Sequence, residues 1–145
     1  MSKVEDFLTA SEEQEIVDAI VVAENRTSGE IRVHLEGSTK KDHYQRAQEV
    51  FHTLKMDNTK DANGVLLYVA VLDKKFVILG DKGINAVVPS NFWDSTKNTI
   101  QEHFAKGLFK QGIIAGITMA GHELKEHFPW QKDDTNELSN EISKG

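Results

Sequence analysis

The chain has 145 residues, of which 39% are hydrophobic and 28% are charged, and its formal net charge is −6 at pH 7. These values are typical of a globular domain, and the acidic balance argues against a nucleic-acid-binding protein, which normally carries a basic stripe. The absence of cysteine excludes disulfides, zinc thiolates and cysteine nucleophiles. An acidic N-terminus, with no apolar run near the roughly 20 residues of a membrane span, predicts a cytoplasmic protein without membrane insertion. We also expect a monomer.

Helical and extended patterns alternate through the first half of the chain. Residues 11–27 are predicted to form a helix that begins with a capping box made by Ser11 and Gln14. Residues 30–36 alternate apolar and polar side chains, which predicts a strand that is buried on one face. Helical spacing returns over residues 41–55.

The second half begins with a sheet pattern and continues with helices. Residues 64–72 are apolar on both faces and are predicted to form a central strand, which a hairpin joins to a strand over residues 75–80. Helices are predicted over residues 91–105 and 108–127. The order of these elements indicates an α/β protein.

The chain is predicted to contain one domain and a tail. No internal repeat or second domain is apparent, so residues 1–129 are assigned to a single domain. Residues 130–145, "WQKDDTNELSNEISKG", lose the periodicity of the helices and include several acidic side chains. We expect them to be a mobile acidic tail.

Polar residues stand where the predicted strands begin and end. A strand, a helix and a second strand in succession form a β-α-β unit with parallel strands, and the hairpin adds an antiparallel third strand. The start of the first strand, the start of the second and the end of the third therefore lie at one edge of the sheet. These positions carry Glu30, Asp61, Asn63 and Asp81.

Carboxylate and amide oxygens are hard ligands, so this set favours calcium, magnesium or manganese. A simpler interpretation is that Asp61 and Asn63 only turn the chain into a strand. Asp94, in the first turn of its helix, could face the same edge or could only interact with the helix dipole.

The opposite edge of the sheet is a rival site. Ligands of open α/β sheets usually bind beyond the carboxyl ends of the parallel strands, where this sequence places Glu36, Ser38, Asp42 and Asp73. That edge has no glycine-rich phosphate loop. Catalytic motifs are absent throughout, and Ser28, a conceivable nucleophile, has no evident base near it in the sequence.

Three stretches, "TSGEIRVHLE", "NGVLLYVAVLDKKFVILGDKGI" and "FAKGLFKQGIIAGITMAGHELKEHFP", resemble the TPM domain family, and most closely its small bacterial members without an export signal. The resemblance implies a three-layer α/β/α sandwich with a mixed central sheet of about four strands. It also implies a surface crevice that binds calcium or a similar ion. Carried over by position, the family's acidic and amide residues fall on Glu30, Asp61, Asn63, Asp81 and, less directly, Asp94.

The leading functional prediction is a divalent-cation-binding domain, with calcium as the expected ion and no demonstrated chemistry. One alternative is a metal-assisted acid phosphatase, an activity that has been assigned to some plant members of the family. The other is a scaffold that binds proteins through its helical faces.

Overall fold

The computed structural model describes residues 8–59, 61–130 and 140–144, and within them the chain forms one four-stranded sheet. The strand order is β3-β2-β1-β4, with β1 parallel to β2 and to β4, and β3 antiparallel to β2. The strands are β1 (Glu30–Glu36), β2 (Gly64–Ala70), β3 (Lys75–Gly80) and β4 (Ser143–Lys144). The predicted α/β fold with a mixed sheet of about four strands is confirmed.

Five helices in the described ranges pack on this sheet. They are α1 (Ala10–Glu24), α2 (His43–Thr53), α3 (Lys82–Asn85), α4 (Asp94–Ala105) and α5 (Phe109–His127). None of these helices is long and apolar enough to cross a membrane.

Alternation along the strands divides the core into two layers. Ile31, Val33 and Leu35 of β1 point to the face that is covered by α1, α4 and α5. Leu66 and Tyr68 of β2 point to the opposite face, which is covered by α2. Because apolar side chains leave β2 on both faces, every residue of this strand is buried, as its sequence predicted. The result is the expected three-layer arrangement.

Two local predictions were wrong, and one helix was missed. Helix α1 is capped by Thr9 and Glu12, not by Ser11 and Gln14, because the helix begins earlier than predicted and its first turn has shifted with it. Strand β1 is not buried on one face only, because α2 covers its polar face and buries Glu36. Helix α3, a single turn after Asp81, was not predicted.

The fourth strand comes from the segment that was predicted to be a tail. Ser143 and Lys144 pair with His34 and Leu35 of β1 and add a short parallel strand at that side of the sheet. Residues 131–139 and 145 of that segment lie outside the described residues. The boundary between a domain at 1–129 and a mobile tail at 130–145 stays a prediction.

Candidate functional site

The three segments that were predicted to meet do converge at the start of β1. Glu30 is the register partner of Gly64, and the Glu30 amide donates to the Asn63 carbonyl at 3.3 Å. On the other side of β2, the Asp81 amide donates to the Gly64 carbonyl at 2.9 Å. Gly64 therefore lies between Glu30 and Asp81 in one row of the sheet, because the residues of such a row are register partners.

The loop before β2 is packed tightly against the turn after β3. The Gly83 amide donates to the Ala62 carbonyl at 2.8 Å, and Ala62 has a positive φ of 51°. A Cβ atom on Gly83 would lie 2.3 Å from the Asp61 carbonyl oxygen, which is closer than any side chain tolerates. Glycine is therefore required at this position, and it brings the Asp61 and Ala62 carbonyls next to the turn that begins at Asp81.

Asp81 has a buried oxygen without a partner. The residue is only 8% exposed, and its Oδ1 accepts a hydrogen bond from the Lys82 amide at 2.8 Å and caps α3. Its Oδ2 is buried and accepts no hydrogen bond from the described residues, and the hydroxyl oxygen of Thr59, in the loop before β2, is in the same condition. A buried carboxylate oxygen without a donor is costly, so this atom is a candidate ligand for a cation.

Glu24 and Glu30 form a second acidic feature at this end of the sheet. Glu24 is the last residue of α1, and its Oε2 accepts a hydrogen bond from the Ile31 amide at 2.8 Å. Burial raises the pKa of Glu24 to about 8, and the charge and hydrogen bond of Glu30 contribute in the same direction. Sequence reasoning missed Glu24, because its place in a helical pattern gave no sign that the helix ends against the start of β1.

The other predicted ligands are placed differently. Asn63 is 1% exposed, and its side-chain amide donates to the Ser28 carbonyl at 3.2 Å, so it also joins the starts of β1 and β2. Asp61 is exposed beside them. Asp94 is exposed in the first turn of α4, where the helix dipole accounts for an acidic residue.

No three histidine, cysteine, aspartate or glutamate side chains in the described ranges are grouped closely enough to hold a metal ion. The starts of β1 and β2 and the end of β3 are thus close together, as predicted. The ligand roles of Glu30, Asp61, Asn63, Asp81 and Asp94 stay predictions.

At the rival edge, the buried carboxylate is fully engaged by protein donors. Glu36 is 4% exposed and accepts hydrogen bonds from Arg46 Nε at 3.0 Å and Arg46 Nη2 at 2.9 Å, and from the Tyr68 hydroxyl. His34 Nε2 lies 3.1 Å from Glu36 Oε1. Burial alone would raise the pKa of Glu36, but the hydrogen bonds from Arg46, Tyr68 and His34 outweigh it and lower the pKa to about 2.

The remaining acidic residues of the rival edge are engaged as well. Asp42 accepts from the Gln45 amide at 3.1 Å and caps α2. Asp73 Oδ2 accepts from the Thr39 amide at 3.3 Å and lies 2.9 Å from His43 Nε2. Because these carboxylates already have protein donors, they are poor candidates for ligands of an added cation.

Comparison with known proteins agrees with this fold. A family model described as the TPM domain matches residues 1–123. The chain is 63% identical to the BA42 protein from the psychrophilic bacterium Bizionia argentinensis, over 100% of both chains and with a TM-score of 0.93. A search of curated proteins found no match.

Two more distant solved structures share the fold alone. The N-terminal domain of a protein from P. gingivalis is 15% identical, with a TM-score of 0.71 over 84% of this chain and 79% of that one. The N-terminal domain of the cg2496 protein from Corynebacterium glutamicum is 13% identical, with a TM-score of 0.66 over 97% of this chain and 82% of that one. The family model covers most of the sequence, and the chain therefore belongs to the TPM domain family.

Proposed function

We propose that the protein binds a divalent cation, with calcium as the preferred ion, at the end of the sheet where β1 and β2 begin. The observation that carries the proposal is the Oδ2 atom of Asp81, which is buried and has no hydrogen-bond partner among the described residues. A cation would offset the cost of burying this charge, because coordination replaces the missing donors.

The loop before β2 and the turn after β3 carry oxygen donors that suit a hard cation. Thr59 supplies a hydroxyl oxygen that also has no hydrogen-bond partner within the described part of the chain, and Asp61 supplies a backbone carbonyl beside Gly83 as well as an exposed carboxylate. Calcium accepts such mixed sets of carboxylate, carbonyl and water oxygens in flexible geometry, whereas magnesium requires a nearly regular octahedron and keeps several waters. This set of oxygen donors on a loop and a turn therefore favours calcium over magnesium.

Glu24 and Glu30 would support the site electrostatically. Glu30 adds negative charge at the same end of the sheet, whereas Glu24 is largely uncharged at neutral pH, because burial raises its pKa to about 8. A nearby cation would stabilise the charged form of Glu24, so we expect binding to release a proton and to become tighter with rising pH.

Calcium titration followed by amide NMR tests the proposal. We expect Thr59, the Asp61–Gly64 segment and the turn from Asp81 to Gly83 to shift together and to saturate. Asp81→Asn should abolish the saturable shifts while the fold survives, because the amide oxygen can still cap α3 but the charge is lost. Asp18→Asn, at an exposed aspartate of α1 that accepts a hydrogen bond from Gln14, is the matched control and should bind normally.

Amide chemical-shift changes that are confined to Glu36, Asp42 and Asp73 would indicate that calcium binds at the rival edge. An Asp81→Asn protein that binds calcium normally would contradict the proposal. Acid phosphatase activity and scaffolding through the helical faces stay untested predictions. If the chain is a phosphatase, hydrolysis of a generic phosphomonoester should require the ion and be lost in the same variant.

A further inference from the structure

The two sides of the sheet differ in what covers them. The β1 side is extended by β4, whereas β3 is the last strand on the other side, and no strand in the described ranges pairs with its outer edge. The Asp81 amide donates towards β2. In an antiparallel pair, the backbone groups of successive residues point alternately towards the partner strand and away from it, so those of Phe76 and Ile78 point away from β2. Asn85 Nδ2 donates to the Gly80 carbonyl at 3.1 Å and closes one end of this edge.

A groove of about 390 Å³ runs along the open edge. Tyr44 of α2 and Gln101 of α4 also line it, so side chains from both helical layers border this groove beside β3. Phe76 and Ile78 form the floor. This is the space that one more strand of a three-layer sandwich would occupy.

The groove is basic on a molecule that is acidic overall. Lys74, Lys75 and Lys97 line it together with uncharged residues, and its lining contains no acidic side chain, although the formal net charge of the chain is −6. A second copy of the chain paired along β3 would bring the same lysines into contact, which like-charge repulsion disfavours. An acidic segment would have the complementary charge.

We propose that β3 and this groove, here called the β3 groove, bind an extended acidic segment of another protein as an additional strand. The backbone of Phe76 and Ile78 supplies the ladder, the aromatic ring of Tyr44 covers one face of the added strand, and the lysines select for acidic side chains. This mode of recognition obtains affinity from backbone hydrogen bonds and specificity from the flanking side chains. The proposal is independent of the cation site, which lies at the end of the sheet and not along its β3 edge.

Titration of the isotope-labelled chain with the blocked peptide acetyl-Glu-Val-Glu-Val-Glu-Val-amide tests the proposal. We expect shifts that centre on β3, and slower hydrogen exchange at the Phe76 and Ile78 amides, because these amides gain a strand partner. The variant with both Lys75→Glu and Lys97→Glu should bind about tenfold more weakly, or worse. A variant with Lys40→Glu and Lys106→Glu carries the same change of net charge on exposed residues outside the groove lining and should bind normally.

Three results would overturn the proposal. The matching peptide with lysine in place of glutamate could bind equally well, which would remove the charge selection. The Phe76 and Ile78 amides could keep their hydrogen-exchange rates when the protein is saturated with the glutamate peptide, which would exclude an added strand. Without peptide, the same amides could become protected as protein concentration rises, which would assign the β3 groove to pairing between copies of this chain.

Discussion

His34 and Ser143 lie in hydrogen-bond contact, with 2.9 Å between His34 Nδ1 and Ser143 Oγ, and this contact joins β1 to β4. The other ring nitrogen of His34 lies 3.1 Å from Glu36 Oε1, and the ring stacks on Tyr68 at a centroid distance of 5.9 Å. Burial lowers the pKa of His34 and thus favours the neutral ring. A continuous series of contacts thus links Arg46 of α2 to Glu36 and His34 of β1, and His34 to Ser143 of β4.

Ser143→Ala should loosen β4. The substitution removes one partly buried hydrogen bond, so we expect the free energy of unfolding to fall by about 1 kcal/mol. Hydrogen exchange at the β4 amides should increase more than exchange in β2. Ser38→Ala, at an exposed serine, is the control and should change neither measurement. Equal effects of the two substitutions would show that the contact with His34 does not hold β4.

Glu36→Gln should destabilise the fold strongly. It leaves Glu49 as the remaining charged partner of the partly buried Arg46 guanidinium and removes the charge that Arg46 and Tyr68 donate to, so we expect a loss of about 2 to 4 kcal/mol in urea unfolding. Glu49→Gln, which breaks the more exposed contacts with Lys41 and Arg46, is the control and should have a small effect. A small loss for Glu36→Gln would mean that the protein relaxes around the uncharged side chain.

Glu36 should also determine part of the response to acid. Its pKa is lowered from 4.5 to about 2 in the folded protein, so the unfolded chain takes up this proton first. The stabilisation by Glu36 is therefore complete above about pH 4.5 and is lost as the pH falls towards 2. Over this range it amounts to about 2 kcal/mol once solvent screening is considered. Urea unfolding at several pH values should show this loss in the parent protein and not in Glu36→Gln.

Glu24 has the opposite pH dependence. Its pKa is raised from 4.5 to about 8 on folding, so the folded protein retains a proton that the unfolded chain has lost. Stability should therefore fall between these two pH values, by about 2 kcal/mol once solvent screening at this partly exposed group is considered. Glu24→Gln should remove this decline, which melting temperatures measured across the same range would show. A Glu24→Gln protein that still loses stability in parallel with the parent would contradict the assignment.

Gly83→Ala should disturb the candidate cation site. The added methyl group would meet the Asp61 and Ala62 carbonyls at 2.3 and 2.5 Å, and the loop must move to accommodate it. We expect a loss of stability of about 1 to 3 kcal/mol and weaker calcium binding. The control is Gly37→Ala, whose Cβ would lie an ordinary 3.6 Å from Leu72, and which should leave both properties nearly unchanged.

Local patterns predicted most of the secondary structure. Alternation gave the ends of β1 as observed, because alternating apolar and polar side chains suit an extended chain with two different faces, and the hairpin gave the ends of β3. The hairpin and the β-α-β unit then determined which strand ends meet, so the convergence of Glu30, Asn63 and Asp81 followed from topology.

Other features depended on contacts between distant segments. Strand β4 has two residues and no recognisable periodicity, and it forms because β1 offers an unpaired edge and His34 a partner for Ser143. The alternating pattern of β1 places Glu36 on the polar face of the strand, whereas in the folded protein Arg46 of α2 donates a hydrogen bond to this carboxylate.

The sequence by itself determined the fold class, the family and the end of the sheet at which polar residues meet, because these depend on patterns within short segments and on the order of elements. Only the tertiary structure decided which carboxylates already have hydrogen-bond donors from the protein. Glu36 has its donors, Asp81 retains a buried oxygen with no partner among the residues that the structure describes, and Glu24 lies against Glu30. Burial and pairing depend on contacts between segments that are remote in the chain, and no single segment encodes them.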